Sequence, residues 1–270
     1  MNDQPPRFAL VTGASSGLGR ELARQLVLER GYVVLATARR RDRLDELAAG
    51  LPAGRVRVLD GDLALPGFRG QLWEWADAES GGLDLLVNNA GLGHYAPLAD
   101  EDPAMIGQII EVNLVAVVDL TRRAVGHMLG RGRGQVVQVS SVLGSIGMPY
   151  SATYVATKHA VDGLVKSLRY ELVGTNVRVW AAQPGRTESE FHSTALGQGS
   201  SNQGRTPHAA AAGRVARAIL RGLDRDVAIL APTWAAWGTL AAARLFPRTF
   251  DRAMSRWAAG YFGREIDRAR

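Results

Sequence analysis

Residues 12–19 read Thr-Gly-Ala-Ser-Ser-Gly-Leu-Gly, set between a short apolar run at Phe8–Val11 and a helical pattern from Leu18 to Leu28. An apolar strand that passes through glycines directly into a helix is the opening of a βαβ unit, a context that gives a glycine motif meaning. Gly13, Gly17 and Gly19 permit a tight turn and let the backbone approach a pyrophosphate at the helix N-terminus. Ser15, Ser16 and Leu18 complete the candidate phosphate loop. The spacing GxxxGxG is a variant of the commoner GxGxxG. A plain strand-to-helix turn needs neither three glycines nor the Ser15-Ser16 pair.

The same alternation continues along the chain. Gly31 ends the first helix, and Tyr32–Ala38 reads as a second buried strand. Helices are expected at Arg43–Ala49 and Phe68–Ala78, with strands at Val56–Leu59 and Leu83–Val87. Pro103–Leu129 is one long helical stretch with Asn113 near its middle. Strands follow at Gln135–Val139, Val177–Ala182 and Val227–Leu230, with a helix at Ser151–Leu172. Strands alternating with helices predict an α/β fold: one doubly wound, seven-stranded parallel sheet flanked by helices. No composition break or solenoid repeat divides it, so residues 1–230 read as one domain, followed by a C-terminal extension, 231–270.

The ends of the strands carry the candidate binding residues. Arg39 directly follows the second strand, where dinucleotide-binding folds meet the adenosine ribose. An acid there favours a free 2′-hydroxyl and an arginine accommodates a 2′-phosphate, so Arg39 favours NADP(H), with NAD(H) as the alternative. The plainer reading is that Arg39–Arg41 open a solvated helix. Asp62, followed by Leu63, is placed to accept a hydrogen bond from an adenine amino group or to act as a turn residue. Asn89, Ala90 and Gly91 follow the fourth strand, and their small side chains let the backbone lie along a cofactor.

Tyr154 and Lys158 are separated by three residues, which puts them on one helical face, one turn apart. Ser141 lies thirteen residues before Tyr154, just past the Gln135–Val139 strand. That is the carboxyl end of a strand, where open α/β sheets keep their ligands. A free phenol has a pKa of about 10 and exchanges protons poorly near neutrality. A cation within about 4–6 Å favours phenolate, so Lys158 is expected to make Tyr154 more acidic. Such a phenol can protonate a carbonyl oxygen or deprotonate an alcohol, while Ser141 holds the same oxygen. Tyr-x-x-x-Lys alone is an ordinary surface pair; the serine and the glycine loop change that reading. A mid-helix asparagine usually has a structural job, and Asn113 is expected to hold a water near Lys158.

Composition excludes some chemistry. The 270 residues contain no cysteine, so a disulfide, a thiolate nucleophile and a Cys-ligated metal are excluded, and no metal site is expected. The net charge of +6 rests on 32 basic residues, nearly all arginine, scattered among acids. Nucleic-acid binders instead show a basic stripe with interleaved aromatics. The N-terminal residues lack a secretory pattern, and no run of eighteen uninterrupted apolar residues occurs, so a cytoplasmic protein without a spanning helix is expected.

Taken together, TGASSGLG, NNAG, Asn113, Ser141, YVATK and Pro184-Gly185, in this order, resemble the short-chain dehydrogenase/reductase family over about residues 7–230. The resemblance implies a Rossmann fold, a nicotinamide cofactor and a catalytic tetrad of Asn113, Ser141, Tyr154 and Lys158. It implies that Tyr154 is the acid/base, that Lys158 also binds the nicotinamide ribose, and that Asn113 positions a relay water. Tyr154, Pro184 and Gly185 then belong to the cofactor site as well, with either Thr187 or Ser189 contacting the carboxamide. A homodimer or homotetramer is expected on the same ground.

The loops after these motifs surround the substrate in that family. Leu92, Leu143, Ile146, Met148 and Phe191 suggest an apolar carbonyl or secondary alcohol, with Ser141, Leu143 and Tyr154 contacting it. His94 and His192 read as loop or surface residues rather than substrate ligands. Gly197–Gly204 is polar and glycine-rich and reads as a lid. The aromatic, arginine-rich tail reads as an amphipathic helix packed on its own domain or a second subunit, with peripheral membrane contact as the alternative. A nucleotide-binding regulatory or scaffold protein with an idle site is the rival function.

Overall fold

The computed structural model describes residues 6–188 and 209–269, the last nine as backbone only. Seven strands form one sheet: β1 Phe8–Thr12, β2 Val33–Ala38, β3 Val56–Asp60, β4 Leu85–Asn88, β5 Gly134–Val139, β6 Val177–Ala182 and β7 Ile229–Leu230. Their order is β3-β2-β1-β4-β5-β6-β7, and every pairing is parallel. The chain winds outward from β1 to β3, then crosses back to β4 on the other side of β1. The winding reverses between β1 and β4, and at such a switch point the ligand crevice lies outside the carboxyl ends of the strands.

Both faces of the sheet are covered, so the strands are apolar throughout rather than alternating. In β1, Ala9 and Val11 join the core on one face, while Phe8 and Leu10 join the core on the other. The first face packs on α1 Gly17–Arg30, α2 Arg41–Ala49 and α7 Ala212–Gly222. The second packs on α3 Pro66–Ser80, on α5 Ala116–Arg131 and on α6 Ala152–Glu171. Helix α1 ends where Gly31 adopts φ 68°, a left-handed cap that costs glycine little.

Two expectations are corrected. The stretch expected as one helix at Pro103–Leu129 is α4 Pro103–Ile110, a π-turn at Glu111–Val115, and then α5. Asn113 sits inside that π-turn, a feature frequent at functional sites. The 103–131 stretch is long and apolar enough to cross a membrane by length and composition alone. Leu120, Ala124 and Met128 of this stretch are buried in the core on the second face of the sheet, and Asn113 is buried as well. The other correction is the tail, which forms two helices rather than one, α8 Trp234–Leu245 and α9 Pro247–Ala269. Ala236 of α8 is buried, 3.6 Å from where a Cβ on Gly185 would lie, while Trp234 and Trp237 are exposed.

Candidate active site

A cleft of about 610 Å3 runs along the carboxyl ends of the strands. At one end lies the loop between β1 and α1. Gly13 (φ 68°) and Gly17 (φ 52°) adopt left-handed backbone that other residues resist. A Cβ on Gly13 would lie 2.9 Å from the Ala90 Cα, so its absence brings the β1 and β4 loops together. Gly19 serves the same packing, against Asn89 and the Gly13 carbonyl. Asn89 Nδ2 donates to the Thr12 carbonyl at 3.0 Å, closing this seam. The first turn of α1 carries no acid, and the Ser16 side chain caps none of its amides, while Ser16, Gly17, Leu18 and Gly19 all border the cleft. That is a cradle for phosphate.

Arg39 and Arg40 border the cleft beside this cradle. Arg40 donates to Ser15 Oγ at 3.4 Å. Arg41 is engaged elsewhere, with Asp45 at 2.9 Å and Asp60 at 3.3 Å. Asp62 and Leu63 line the cleft, and Asp62 also accepts the Ala64 amide at 2.9 Å, so it serves as a turn residue too.

At the other end, Ser141 follows β5 and opens a short turn at Val142–Gly144, accepting the Leu143 amide at 3.1 Å. Tyr154 and Lys158 project from the first two turns of α6, both buried. Tyr154 is hydrogen-bonded to Ser141. Lys158 Nζ donates to the Val139 carbonyl at 3.1 Å and lies 5.6 Å from the Tyr154 ring centroid. Asn113 Nδ2 donates to the Leu92 carbonyl at 2.9 Å, and its Oδ1 accepts the Leu92 amide at 2.7 Å. Its amide clamps the loop after Asn89-Ala90-Gly91. Leu143, Pro184, Gly185 and Thr187 line the same cleft; Ser189, with Phe191, His192 and Gly197–Gly204, lies outside the described residues.

The electrostatics differ from expectation. Burial pushes the Tyr154 phenol up to about 12, and the Ser141 hydrogen bond opposes that rise. The direction is the reverse of the one expected from the Lys158 spacing, because desolvation of the buried phenol dominates. Burial also lowers Lys158 to about 8, opposed by Asp162 one turn further along α6. Asp162 is raised by its own burial, with Ser140, Gln183 and Lys158 acting in the other direction.

Residues 7–198 match the family model described as short chain dehydrogenase. The chain belongs to the short-chain dehydrogenase/reductase family. It is an NAD(P)-dependent oxidoreductase. It is 32% identical over 194 residues to farnesol dehydrogenase of Aedes aegypti, covering 68% of this chain and 79% of that one. A short-chain dehydrogenase from Streptomyces avermitilis superposes with a TM-score of 0.81 at 26% identity, covering 96% of this chain and 99% of that one. A short-chain dehydrogenase from Sphingobium yanoikuyae in complex with NADPH gives 0.77 at 28% identity, covering 90% and 95%.

In this dehydrogenase/reductase the structure adds residues that the sequence reading missed. Arg40 lay in the arginine run; Asp162 lay four residues past Lys158, on the same helical face. Trp257 of α9 lines the cleft, which its distance along the chain concealed. A second cavity of about 770 Å3 lies between Ser145–Pro149 and α8–α9, and Met148 borders both spaces. Ile146 faces this second cavity rather than the cleft. His94 is no surface residue: it is buried and borders the cleft. Among the described residues no group of three or more His, Asp or Glu could hold a metal.

Proposed function

We propose that this protein is an NADP(H)-preferring enzyme that interconverts a largely apolar carbonyl compound and its secondary alcohol. The observation that carries this reading is the sharing of one cleft by the glycine cradle, Arg39 and the Ser141-Tyr154-Lys158 group. When bound, a nicotinamide dinucleotide supplies or accepts hydride. What remains for this chain is the proton and the orientation of the oxygen.

The residues present fit that cofactor. The uncapped first turn of α1 holds the pyrophosphate, Arg39 and Arg40 face the 2′-phosphate, and Lys158 offers its remaining N–H donors to the nicotinamide ribose. Tyr154, protonated throughout the neutral range because of its burial, is the proton donor in the reduction direction. Ser141 holds the substrate oxygen in line with that phenol. Asn113 acts as a positioning residue through its clamp on Leu92. Leu92, Leu143 and Met148 give the cleft its apolar wall. Thr187 or Ser189 remains the candidate for the carboxamide. The farnesol dehydrogenase relationship supports an apolar substrate.

NADPH absorbance followed across a panel of ketones and aldehydes tests the reading. Turnover of bulky apolar carbonyls is expected; turnover confined to small polar sugars would reject the substrate class. Cofactor binding with no turnover on any member would favour the idle-site rival.

A further inference from the structure

His94 lies in the loop after β4, with its side chain 3% exposed. Its Nδ1 approaches Glu101 Oε1 at 3.1 Å, and that glutamate side chain is fully buried. Neither atom has a hydrogen-bond partner among the described residues. The other carboxylate oxygen of Glu101 accepts the hydroxyl of Thr153, the residue before Tyr154. The loop is further tied to the start of α6: Ser151 donates to the His94 carbonyl at 3.1 Å, and the Ala96 amide to the Tyr150 carbonyl at 2.9 Å. Tyr150 itself has φ 64°, the one non-glycine residue with positive φ among the described residues. Strain of that kind persists where the surroundings fix the geometry, often at ligand sites.

A surface histidine needs none of this. A buried carboxylate holds one edge of the ring, while the ring borders the cleft that contains Tyr154. The Nε2 edge has no hydrogen-bond partner among the described residues, and it is not among the fully buried polar atoms. Nδ1 is thus turned to a buried carboxylate, and Nε2 is left for another partner at a residue that borders the cleft.

We propose that His94 is a substrate-specificity residue whose Nε2 pairs with a second hydroxyl on the substrate, distinct from the oxygen that reacts. A hydroxyl suits Nε2 in both protonation states: it donates to the neutral ring and accepts from the charged one. Ser141 and Tyr154 already serve the reacting oxygen, so this group is an additional one. The substrate is then an apolar hydroxyketone, or the diol that it becomes on reduction. This inference rests on the carbonyl reading above and narrows its substrate class.

The test compares a hydroxyketone with its deoxy analogue by kcat/KM for the wild type, His94→Phe and His94→Gln, with NADPH affinity and thermal melting measured in parallel. The wild type is expected to prefer the hydroxyketone by about tenfold or more, since a site built to bond a hydroxyl discriminates against its absence. His94→Phe keeps ring volume and should bring the ratio near one; His94→Gln, which retains a polar nitrogen, should keep part of it. An unchanged ratio in both variants overturns the proposal, as does a loss of NADPH affinity with the ratio intact. Turnover by the wild type with no hydroxyl preference sinks this inference alone. No carbonyl turnover at all sinks the parent reading and this one with it.

Discussion

Lys158 Nζ donates to the carbonyl oxygen of Val139, the last residue of β5, at 3.1 Å. The bond ties the helix that carries Tyr154 to the strand whose end leads into Ser141. Two elements that meet only through the tertiary fold thereby share one fixed geometry. The lysine achieves this while buried, with its pKa brought down to about 8 by desolvation.

That burial has a cost in stability. An unfolded lysine titrates near 10.5 and the folded one near 8, so between these values the unfolded state binds more protons. Stability of the free protein should therefore rise as pH climbs from about 8 toward 10, and fall to a lower plateau below that window. Lys158→Met removes the buried charge at the expense of one hydrogen bond. At pH 7 it should be more stable than wild type by about 1–3 kcal/mol, while activity is lost. Urea melts at pH 7 and near pH 10 check this; a Met variant that keeps the wild-type pH slope would contradict it.

Tyr154 is predicted to donate its proton rather than to act as a standing phenolate, because its pKa lies near 12. Tyr154→Phe keeps the ring and removes that proton. Turnover should fall by about 10²–10⁴-fold, with NADPH affinity within about twofold of wild type. Fluorescence titration alongside steady-state rates separates the two effects. Retained turnover would remove Tyr154 from the proton path.

Arg39 borders the cleft, and Arg41 is held by Asp45 and Asp60. Arg39→Ala should weaken NADPH by about 1.5–3 kcal/mol, the scale of a charge-assisted hydrogen bond, and leave NADH nearly unchanged. Arg41→Ala should alter neither cofactor's affinity. Equal losses of NADPH and NADH in the Arg39 variant would show that it does not meet the 2′-phosphate.

The first strand, glycine loop and helix were legible because each depends on local chemistry: an apolar run, residues tolerant of positive φ, and helical periodicity. The same holds for Tyr154 and Lys158, whose helical spacing alone puts them on one face. The π-turn at Glu111–Val115 was not legible, since one inserted residue hardly disturbs the apolar pattern. Helix α7 carried a readable signal in Val215, Ala216, Ile219 and Leu220, hidden behind a glycine-rich segment. The direction of the Tyr154 shift was misread because spacing reports a nearby cation but says nothing of desolvation. His94 and Glu101 stand seven residues apart in a loop, and only the fold brings Nδ1 of the one to Oε1 of the other.

Trp257 places the second of the two tail helices at the cleft. Its neighbours Met254 and Ala258 line the adjoining cavity, which shares Met148 with the cleft. Trp257 should therefore act on the bulky end of the substrate rather than on the cofactor. Trp257→Ala is expected to raise KM for large apolar carbonyls by about 5–50-fold, in keeping with the loss of an aromatic side chain that the substrate would cover, and to leave NADPH affinity unchanged. A shift in NADPH affinity without a change in KM would assign the tryptophan to the dinucleotide instead.

Gly19 gives the sharpest test of how the cleft is built. A Cβ there would overlap Asn89 Nδ2 and the Gly13 carbonyl, and the latter is backbone that cannot rotate away. Asn89 would have to leave the Thr12 carbonyl, or the β1 loop would have to move off β4. Overpacking of this kind typically costs about 1–3 kcal/mol. Gly19→Ala should therefore lower stability by that amount and weaken NADPH and NADH alike, since the displaced loop holds the pyrophosphate common to both. This separates it from Arg39→Ala, which should discriminate between the two cofactors. Chemical denaturation together with titration of both dinucleotides reads out the difference. A stable Gly19→Ala variant with unaltered affinities would mean that the seam between the β1 and β4 loops is looser than its contacts imply.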